Sequence, residues 1–228
     1  MAAKRNVQRW GAPVRRLPLA GRGRAARLGL VLTPGMKVGL FGGSFNPAHE
    51  GHRHVAQTAL KRLDLDRLIW LVSPQNPLKS ADETASLAQR MQSARAFAGR
   101  REQVSDAETR LGVAYTIDTV RLVRARYPGV HFVWIMGSDN LAGFHRWRGW
   151  SDLFHTLPIA VVSRPNALVR SRVAPAAQRF AGARIASRGA ALLALKRAPA
   201  WTFLRAPLNP VSSTQIRARN SSAPSPKG

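Results

Sequence analysis

Two histidines that follow a pair of glycines are the residues best suited to chemistry. The segment GGSFNPAHEGH runs from Gly42 to His52, directly after the apolar residues 38–41. A glycine turn lets backbone N–H groups approach a phosphate, and a helix beginning after it adds the partial positive charge of its N-terminus. With Asn46 and Pro47 as N-cap and first helical residue, His49 and His52 would share one helix face. The spacing predicts a phosphate site.

A second phosphate-binding pattern lies near the C-terminus, in the segment VSSTQIR that ends at Arg217. Ser212 or Ser213 is suited to cap a helix whose free N–H groups point at a phosphate. Arg217 lies one turn beyond Ser213 on the same face, and its guanidinium can bind two phosphate oxygens at once. Alone, this pattern is typical of any capped surface helix. Together with the first pattern, it suits the positioning of a triphosphate.

The elements that must position these residues alternate along the chain. Short apolar runs predict buried strands at residues 38–41, 68–72, 132–136, 159–162 and 201–204. Helical patterns are found at residues 51–63, 87–98 and 116–127, and a short final helix begins at Ser212. This alternation predicts an α/β fold with a doubly wound parallel sheet and helices on both faces. Ligands of such sheets bind beyond the carboxyl ends of the strands, where the first motif lies.

Composition narrows the class of protein. The chain has 228 residues, 45% of them hydrophobic, which is enough for one α/β domain. It contains no cysteine, which excludes disulfides and thiolate metal sites and fits a reducing cytoplasm. The apolar runs are short and end at proline, glycine or charge, so a membrane span is not predicted.

The charge balance leaves several interpretations open. Lys and Arg total 36 against 11 acidic residues, a formal net charge of +25. Such a surface could bind nucleic acid, steer polyanions such as ATP toward a cleft, or reflect only an arginine-rich proteome. No RNA-recognition, zinc-finger or helix-turn-helix pattern is present, so no specific nucleic-acid partner is expected. A basic nucleic-acid-binding protein is the alternative from another class.

The ends of the chain differ from its middle. Residues 1–35 carry only basic charges and no sustained apolar period, which predicts a disordered extension. Residues 221–228 form a polar tail without structure. The catalytic domain is therefore expected over residues 36–220.

The first motif resembles the signature of the nucleotidylyltransferase superfamily, a His-x-Gly-His sequence after the first strand of a Rossmann-like domain. The C-terminal segment resembles its Ser-Ser-Thr-x-x-Arg element. The resemblance implies that His49, His52 and Arg217 stabilise charge on the α-phosphoryl group of ATP. It also implies Mg²⁺ held mainly by the nucleotide phosphates, without a metal site built by the protein. The residues it assigns to ATP are Gly42, Gly43, Ser44, Phe45, Asn46, His49, Gly51, His52, Gly137, Asp139, Ser212, Ser213, Thr214 and Arg217.

Residues 132–150 resemble one family within this superfamily. They read FVWIMGSDNLAGFHRWRGW, similar to the strand-Gly-x-Asp-x-Leu-x-x-Phe-x-x-Trp stretch of bacterial nicotinate mononucleotide adenylyltransferases. The resemblance implies transfer of AMP from ATP to nicotinate mononucleotide in NAD biosynthesis. Trp147 would stack on the pyridine ring, although it also suits core packing. The residues implied on the acceptor side are Asn46, Lys79, Thr116, Trp147 and Arg164.

Related acceptors remain open at this point. The sequence distinguishes only weakly between an enzyme that prefers nicotinate mononucleotide and one that prefers nicotinamide mononucleotide. Phosphopantetheine adenylyltransferases share both signatures but lack the Phe-x-x-Trp region. The pattern leaves the oligomeric state undetermined.

Overall fold

The computed structural model describes residues 28–74, 84–164, 171 and 173–206. The strands are β1 Lys37–Gly43, β2 Arg67–Val72, β3 Glu102–Ser105, β4 His131–Gly137, β5 Ile159–Val162, β6 Arg184–Ile185 and β7 Trp201–Leu204. The α-helices are α1 Glu50–Arg62, α2 Leu87–Phe97, α3 Ala107–Leu111, α4 Thr116–Arg126, α5 Ser138–Gly143, α6 Trp150–Thr156 and α7 Pro175–Arg179. Segments of 3₁₀-helix cover Phe144–Arg146, Ala181–Ala183 and Ser187–Leu195.

The strands form one parallel sheet in the order β3-β2-β1-β4-β5-β7-β6. The chain runs outward from β1 to β3 and then returns to the other side of β1 at β4. Adjacent loops therefore leave the sheet in opposite directions between β1 and β4, which creates a crevice at the carboxyl ends of these strands. The predicted doubly wound α/β fold is confirmed.

Two hydrophobic clusters, one on each face, explain why the predicted strands read as continuous apolar runs. Along β4, Trp134 and Met136 pack with α4 and α6, whereas Val133 and Ile135 pack with α1 and α2. A strand covered on both faces needs apolar residues at every position. The five predicted strands and the helices predicted before residue 130 are found, with ends shifted by at most a few residues.

The sequence patterns missed β3 and β6, which lie at the two edges of the sheet. β3 has the sequence EQVS, and only Ser105 in it is buried. β6 has only two residues, and neither is buried. An edge strand pairs on one side only and faces solvent, so it does not show the apolar run by which buried strands were identified. The final helix predicted from Ser212 lies outside the described residues.

Residues 28–35 differ from the expected disordered extension. The side chains of Leu28 and Leu30 are 2% and 7% exposed and belong to the core. The Tyr127 hydroxyl donates a hydrogen bond of 2.9 Å to the Leu30 carbonyl, and the Gln103 amide donates one of 2.7 Å to the Gly29 carbonyl. Disorder is therefore not found for residues 28–35, because Leu28 and Leu30 are buried in the core. Residues 1–27 and 221–228 lie outside the described part of the chain.

Gly42 and Gly43 do not form the expected turn, since β1 continues through both. A Cβ atom added to Gly42 would lie 2.2 Å from Cη2 of Trp134, and one added to Gly43 would lie 3.0 Å from the Phe45 ring. Trp134 is 1% exposed and fills the space beside β1. The pair of glycines therefore makes room for two aromatic rings in the core.

We expect Gly42→Ala to lower the free energy of unfolding by roughly 1–3 kcal/mol, the usual range for an overpacked core. The added methyl collides with the Trp134 ring, which has no free space into which to move. Urea denaturation of the single variants and of Gly42→Ala combined with Trp134→Phe measures the effect. Because the smaller ring relieves the collision, the double variant should lose less stability than the two single losses together. Strict additivity would show that the collision is not the cause.

Candidate active site

Three of the predicted site residues lie beyond the carboxyl ends of β1, β4 and β5, which are neighbours in the sheet. His49 follows β1, Asp139 follows β4 and Arg164 follows β5. They lie at the point where the chain reverses direction across the sheet. This is where the parallel topology predicts a ligand.

His49 is the N-cap of α1. Its backbone is extended, with φ −158° and ψ 172°, and its Nδ1 accepts a hydrogen bond of 3.0 Å from the Gly51 amide. The expectation that Asn46 caps this helix is therefore wrong. The Asn46 Oδ1 instead accepts a hydrogen bond of 3.1 Å from the Ala85 amide, because the helix begins only at Glu50. Since Nδ1 of His49 accepts, the neutral ring carries its proton on Nε2, which lies 3.4 Å from Arg164 Nη2.

His52 lies beside His49, as the spacing predicts. The two ring centroids are 3.9 Å apart, and the His52 ring packs edge-on against Phe45 at 5.1 Å. His52 Nδ1 is buried and has no hydrogen-bond partner among the described residues. A buried polar atom without a partner is costly unless a ligand or water completes it. The ring of His49 is therefore held by its hydrogen bond to Gly51, whereas Nδ1 of His52 lacks a hydrogen-bond partner among the described residues.

Arg164 joins the segments that follow β1, β4 and β5. Its Nη1 donates a hydrogen bond of 3.1 Å to Asp139 Oδ2, and its backbone amide donates one of 2.9 Å to Ser138 Oγ. Its Nη2 lies 3.4 Å from His49 Nε2. The acceptor side was expected for Arg164, but the structure places it among residues expected to bind ATP.

Both histidines are biased toward the neutral form. Burial, followed by the positive charge of Arg164, lowers the pKa of His49 to about 4, although the Asp139 carboxylate opposes this effect. Burial, then His49 and then Arg164 lower the pKa of His52 well below its ordinary value. At pH 7 both rings are therefore hydrogen-bonding groups rather than cations. A bound phosphate would raise both pKa values.

Two further glycines leave no room for a side chain in the site. A Cβ atom on Gly51 would lie 2.8 Å from both Arg164 Nη2 and His49 Cε1. A Cβ atom on Gly137 would lie 2.3 Å from Asp139 Oδ1 and 2.7 Å from Arg164 Cδ. The space expected for a nucleotide beside Gly51 is thus partly taken by His49 and Arg164. These glycines allow the charged and imidazole groups to meet.

The residues between β1 and His49 present mainly backbone to the site. The Phe45 ring is 1% exposed and packs against Phe41 and Trp70. The Ser44 carbonyl accepts a hydrogen bond of 2.9 Å from Arg90. Any contact of Phe45 with a nucleotide therefore involves its main-chain atoms.

Thr116 and Trp147, both expected on the acceptor side, lie in segments that pack together. Thr116 is the first residue of α4, and the next residue, Ile117, packs against Gly149, whose added Cβ would lie 2.9 Å from Ile117 Cγ2. Half-buried Trp147 packs against Phe144 and Trp134, with ring centroids 5.1 and 6.4 Å apart. Trp147 is thus part of the core on one side, which is compatible with stacking on the other.

Several predicted site residues lie outside the described residues: Lys79, Ser212, Ser213, Thr214 and Arg217. Within the part that the structure describes, no group of three or more histidine, aspartate or glutamate residues is arranged to hold a metal ion. No helix in that part is long and apolar enough to cross a membrane.

Three buried polar residues near the site escaped the sequence analysis. Ser138 is fully buried and orients Arg164, and Arg90 and Glu108 are 2% and 5% exposed. Ser138 lies between Gly137 and Asp139, a position from which it could have been found. Arg90 and Glu108 lie in helices that give no local signal, since their partners are distant in sequence.

Glu108 lies beneath the start of α4. Its Oε1 accepts a hydrogen bond of 3.2 Å from the hydroxyl of fully buried Thr119. Burial raises the pKa of Glu108 to about 7, and the Thr119 hydrogen bond opposes this effect only in part. The folded protein therefore holds a proton on Glu108 that the unfolded chain releases above pH 4.5.

We expect Glu108→Gln to become progressively more stable relative to wild type as the pH rises from 4.5 through 7. The raised pKa of Glu108 contributes to the free energy of unfolding of wild type. This contribution is fully present below pH 4.5 and is lost as the pH rises through 7. Glutamine keeps the acceptor for Thr119 and does not ionise, so the difference should reach at most about 3 kcal/mol. Unfolding by urea at pH 5 and pH 8, for both proteins, measures the change. An equal difference at the two pH values would contradict the assignment.

Comparison with known proteins shows the family of this chain. Residues 40–219 match the family model described as cytidylyltransferase-like. A probable nicotinate-nucleotide adenylyltransferase of Caulobacter sp. (strain K31) is 64% identical over 81% of this chain and 98% of its own length. A probable nicotinate-nucleotide adenylyltransferase of Cereibacter sphaeroides is 51% identical over 80% of this chain and 97% of its own.

Solved structures agree on the fold. The nicotinic acid mononucleotide adenylyltransferase of Plasmodium falciparum complexed with NaAD superposes with a TM-score of 0.61, at 15% identity, over 80% of this chain and 83% of that one. The identity is low, so this comparison supports the architecture alone. The family follows from the bacterial relatives, which match nearly end to end. The chain therefore belongs to the cytidylyltransferase-like proteins and, among them, to the nicotinate-nucleotide adenylyltransferase family.

Proposed function

We propose that this chain transfers AMP from ATP to nicotinate mononucleotide. The phosphate oxygen of the acceptor forms a bond to the α-phosphorus of ATP, and the bond from that phosphorus to the β-phosphate bridging oxygen breaks. The products are nicotinate adenine dinucleotide and pyrophosphate. No protein nucleophile is needed, because the acceptor phosphate is already ionised at neutral pH. Positioning and stabilisation of charge supply the catalysis.

The observation that carries the proposal is the pair of imidazoles, one of which lies beside Arg164. His49 and His52 lie 3.9 Å apart at the switch point of the sheet, and capping directs Nε2–H of His49 away from the helix. Neutral donors arranged in advance can follow charge as it develops on a phosphoryl group without the desolvation of a buried cation. Arg164, 3.4 Å from His49 Nε2, would supply the positive charge.

The remaining roles follow from position. Gly137, the last residue of β4, and Asp139, two residues further on, would lie along the adenosine of ATP, together with the backbone from Gly42 to Asn46. We assign Ser212, Ser213, Thr214 and Arg217 to the triphosphate from their motif. Asn46, Lys79, Thr116 and Trp147 are assigned to the acceptor.

Mg²⁺ would enter with the nucleotide. Asp139 contributes a carboxylate to this cluster, and it is paired with Arg164. A single carboxylate already neutralised by arginine does not suit Mg²⁺, which prefers several oxygen ligands. The ion would therefore be held by the phosphates and water, and would screen the charge of the triphosphate.

We expect Trp147→Ala to raise the KM for nicotinate mononucleotide with little change in kcat. The exposed part of the ring would stack on the pyridine, an interaction equally strong in the ground and transition states. Because Trp147 also packs against Phe144, Trp147→Phe serves as the matched variant that retains an aromatic ring. Steady-state kinetics with varied acceptor measure both constants. An unchanged KM in Trp147→Ala would remove this residue from the acceptor site.

The function itself is tested by measuring pyrophosphate release from ATP and Mg²⁺ with three acceptors. We expect release with nicotinate mononucleotide to exceed release with nicotinamide mononucleotide and phosphopantetheine. Activity only with one of the other two acceptors would support adenylyl transfer but would show that nicotinate mononucleotide is not the substrate. No release with any of the three would refute the proposal.

A further inference from the structure

Arg90 is an unusual buried arginine. Its side chain is 2% exposed, and no aspartate or glutamate among the described residues pairs with it. Its hydrogen-bond partners are three main-chain carbonyls: Nη1 donates to Ser44 at 2.9 Å and Ser73 at 2.7 Å, and Nε donates to Ala85 at 3.0 Å. Burial lowers the pKa of Arg90, which marks the cost of placing this charge in the interior.

The three carbonyls belong to separate segments that meet at the carboxyl ends of β1 and β2. Ser44 directly follows β1, Ser73 directly follows β2, and Ala85 precedes α2. Rigid donors arranged as a fork let one guanidinium hold all three, which a lysine ammonium on a flexible stem does less well. Arg90 thus fixes the exit of β1 relative to β2 and α2.

α2 holds the same loop at two further points. The Ala85 amide donates to Asn46 Oδ1 at 3.1 Å, and the Ala48 amide donates to Ser93 Oγ at 2.7 Å. The loop of residues 44–48 is therefore bound to α2 and its N-terminal flank near its start, middle and end. His49 follows immediately, so the position of its ring depends on this support.

We propose that Arg90 is a positioning residue for adenylyl transfer, which holds the 44–48 loop so that His49 faces the transferred phosphoryl group. This inference rests on the proposed function, and it assigns Arg90 no contact with substrate. A residue that served only to fill the core would be replaceable by an apolar side chain of similar size. A positioning residue cannot be replaced in this way, because the three main-chain carbonyls would lose the side chain that donates hydrogen bonds to all of them.

The test compares Arg90→Met with Arg90→Lys and with a control, Arg101→Met. Arg101 also donates to a main-chain carbonyl, that of Leu65 at 3.1 Å, but at the amino end of β2, opposite the site. We expect Arg90→Met to lower kcat by about 10²-fold with a smaller change in KM, since small displacements of catalytic groups are costly. Arg90→Lys should recover part of the loss, and Arg101→Met should retain wild-type kcat.

A second readout does not depend on activity. The pKa of His49, followed by NMR of its ring protons, should rise from about 4 toward 6.5 in Arg90→Met, because the displaced ring loses its burial beside Arg164. The same pKa should stay low in Arg101→Met. If the wild-type enzyme proved inactive with every acceptor, the proposed function would fail, while this titration would still test the role of Arg90.

Chemical rescue separates positioning from loss of folding. Arg90→Ala leaves space for a small cation, so guanidinium at millimolar concentrations should restore part of kcat and the low pKa of His49. Ser93→Ala removes a weaker contact of the same loop and should shift both quantities less, in the same direction. An Arg90→Met protein with wild-type kcat and an unchanged His49 pKa would overturn the inference.

Discussion

Replacing His49 by asparagine is expected to lower kcat by roughly 10²–10³-fold, the loss typical of removing one preorganised donor. The imidazole has two separable roles. Nδ1 caps α1 through the Gly51 amide, and Nε2 lies 3.4 Å from Arg164 Nη2. Asparagine is a good N-cap but is too short to place a donor where Nε2 lies. Stability should therefore remain close to that of wild type while turnover falls.

The control for this prediction is His49→Ala, which loses the cap as well. It should show the same fall in kcat and, in addition, a loss of about 1 kcal/mol in the free energy of unfolding. Steady-state pyrophosphate release gives kcat, and urea denaturation gives stability. If asparagine retained near-normal turnover, Nε2 of His49 would have no part in catalysis and the helix cap alone would explain this residue.

Replacing His52 by alanine is expected to cost turnover on the same scale, roughly 10²–10³-fold. The His52 ring lies 3.9 Å from the His49 ring, and its buried Nδ1 has no partner among the described residues. The geometry leaves this nitrogen available to a ligand or to a water that a ligand orders. Removing the ring would also expose Phe45 to a small cavity, so stability should fall moderately.

A graded series isolates the chemical effect from the cavity. His52→Gln retains an amide donor and much of the volume, so its kcat should lie between those of His52→Ala and wild type. His54→Ala, two residues further along α1, should keep kcat within about twofold, because a surface or structural histidine contributes little to transition-state binding. Near-normal turnover in His52→Ala would contradict the assignment of phosphate binding to this pair.

The local signals in the sequence were sufficient for the fold class. Continuous apolar runs such as residues 132–136 and 159–162 identified the buried strands, since a strand covered on both faces cannot alternate. The proximity of the two histidines was also predicted from their spacing of three residues, although His49 approaches His52 from the N-cap position and not from the helix itself. Edge strands such as β3 carry no such signal and were missed.

Which residues meet in the site was decided by the tertiary structure. Arg164 and His49 are 115 residues apart in the chain, and Arg90 and Ser44 are 46 apart. Their contacts depend on strand order and on where each loop leaves the sheet, which no local pattern encodes. The same is true of Gly42. Only the tertiary structure shows that the Trp134 ring on the neighbouring strand occupies the space that a side chain at this position would need.

The sequence by itself determined the alternating α/β order, the prediction of a phosphate site and the resemblance to one enzyme family. Each of these depends on residues close together in the chain. The tertiary structure alone decided that His49 caps α1, that Arg164 lies beside His49, and that burial biases both rings toward the neutral form. Protonation and hydrogen bonding depend on what surrounds a group, and packing between distant segments creates those surroundings.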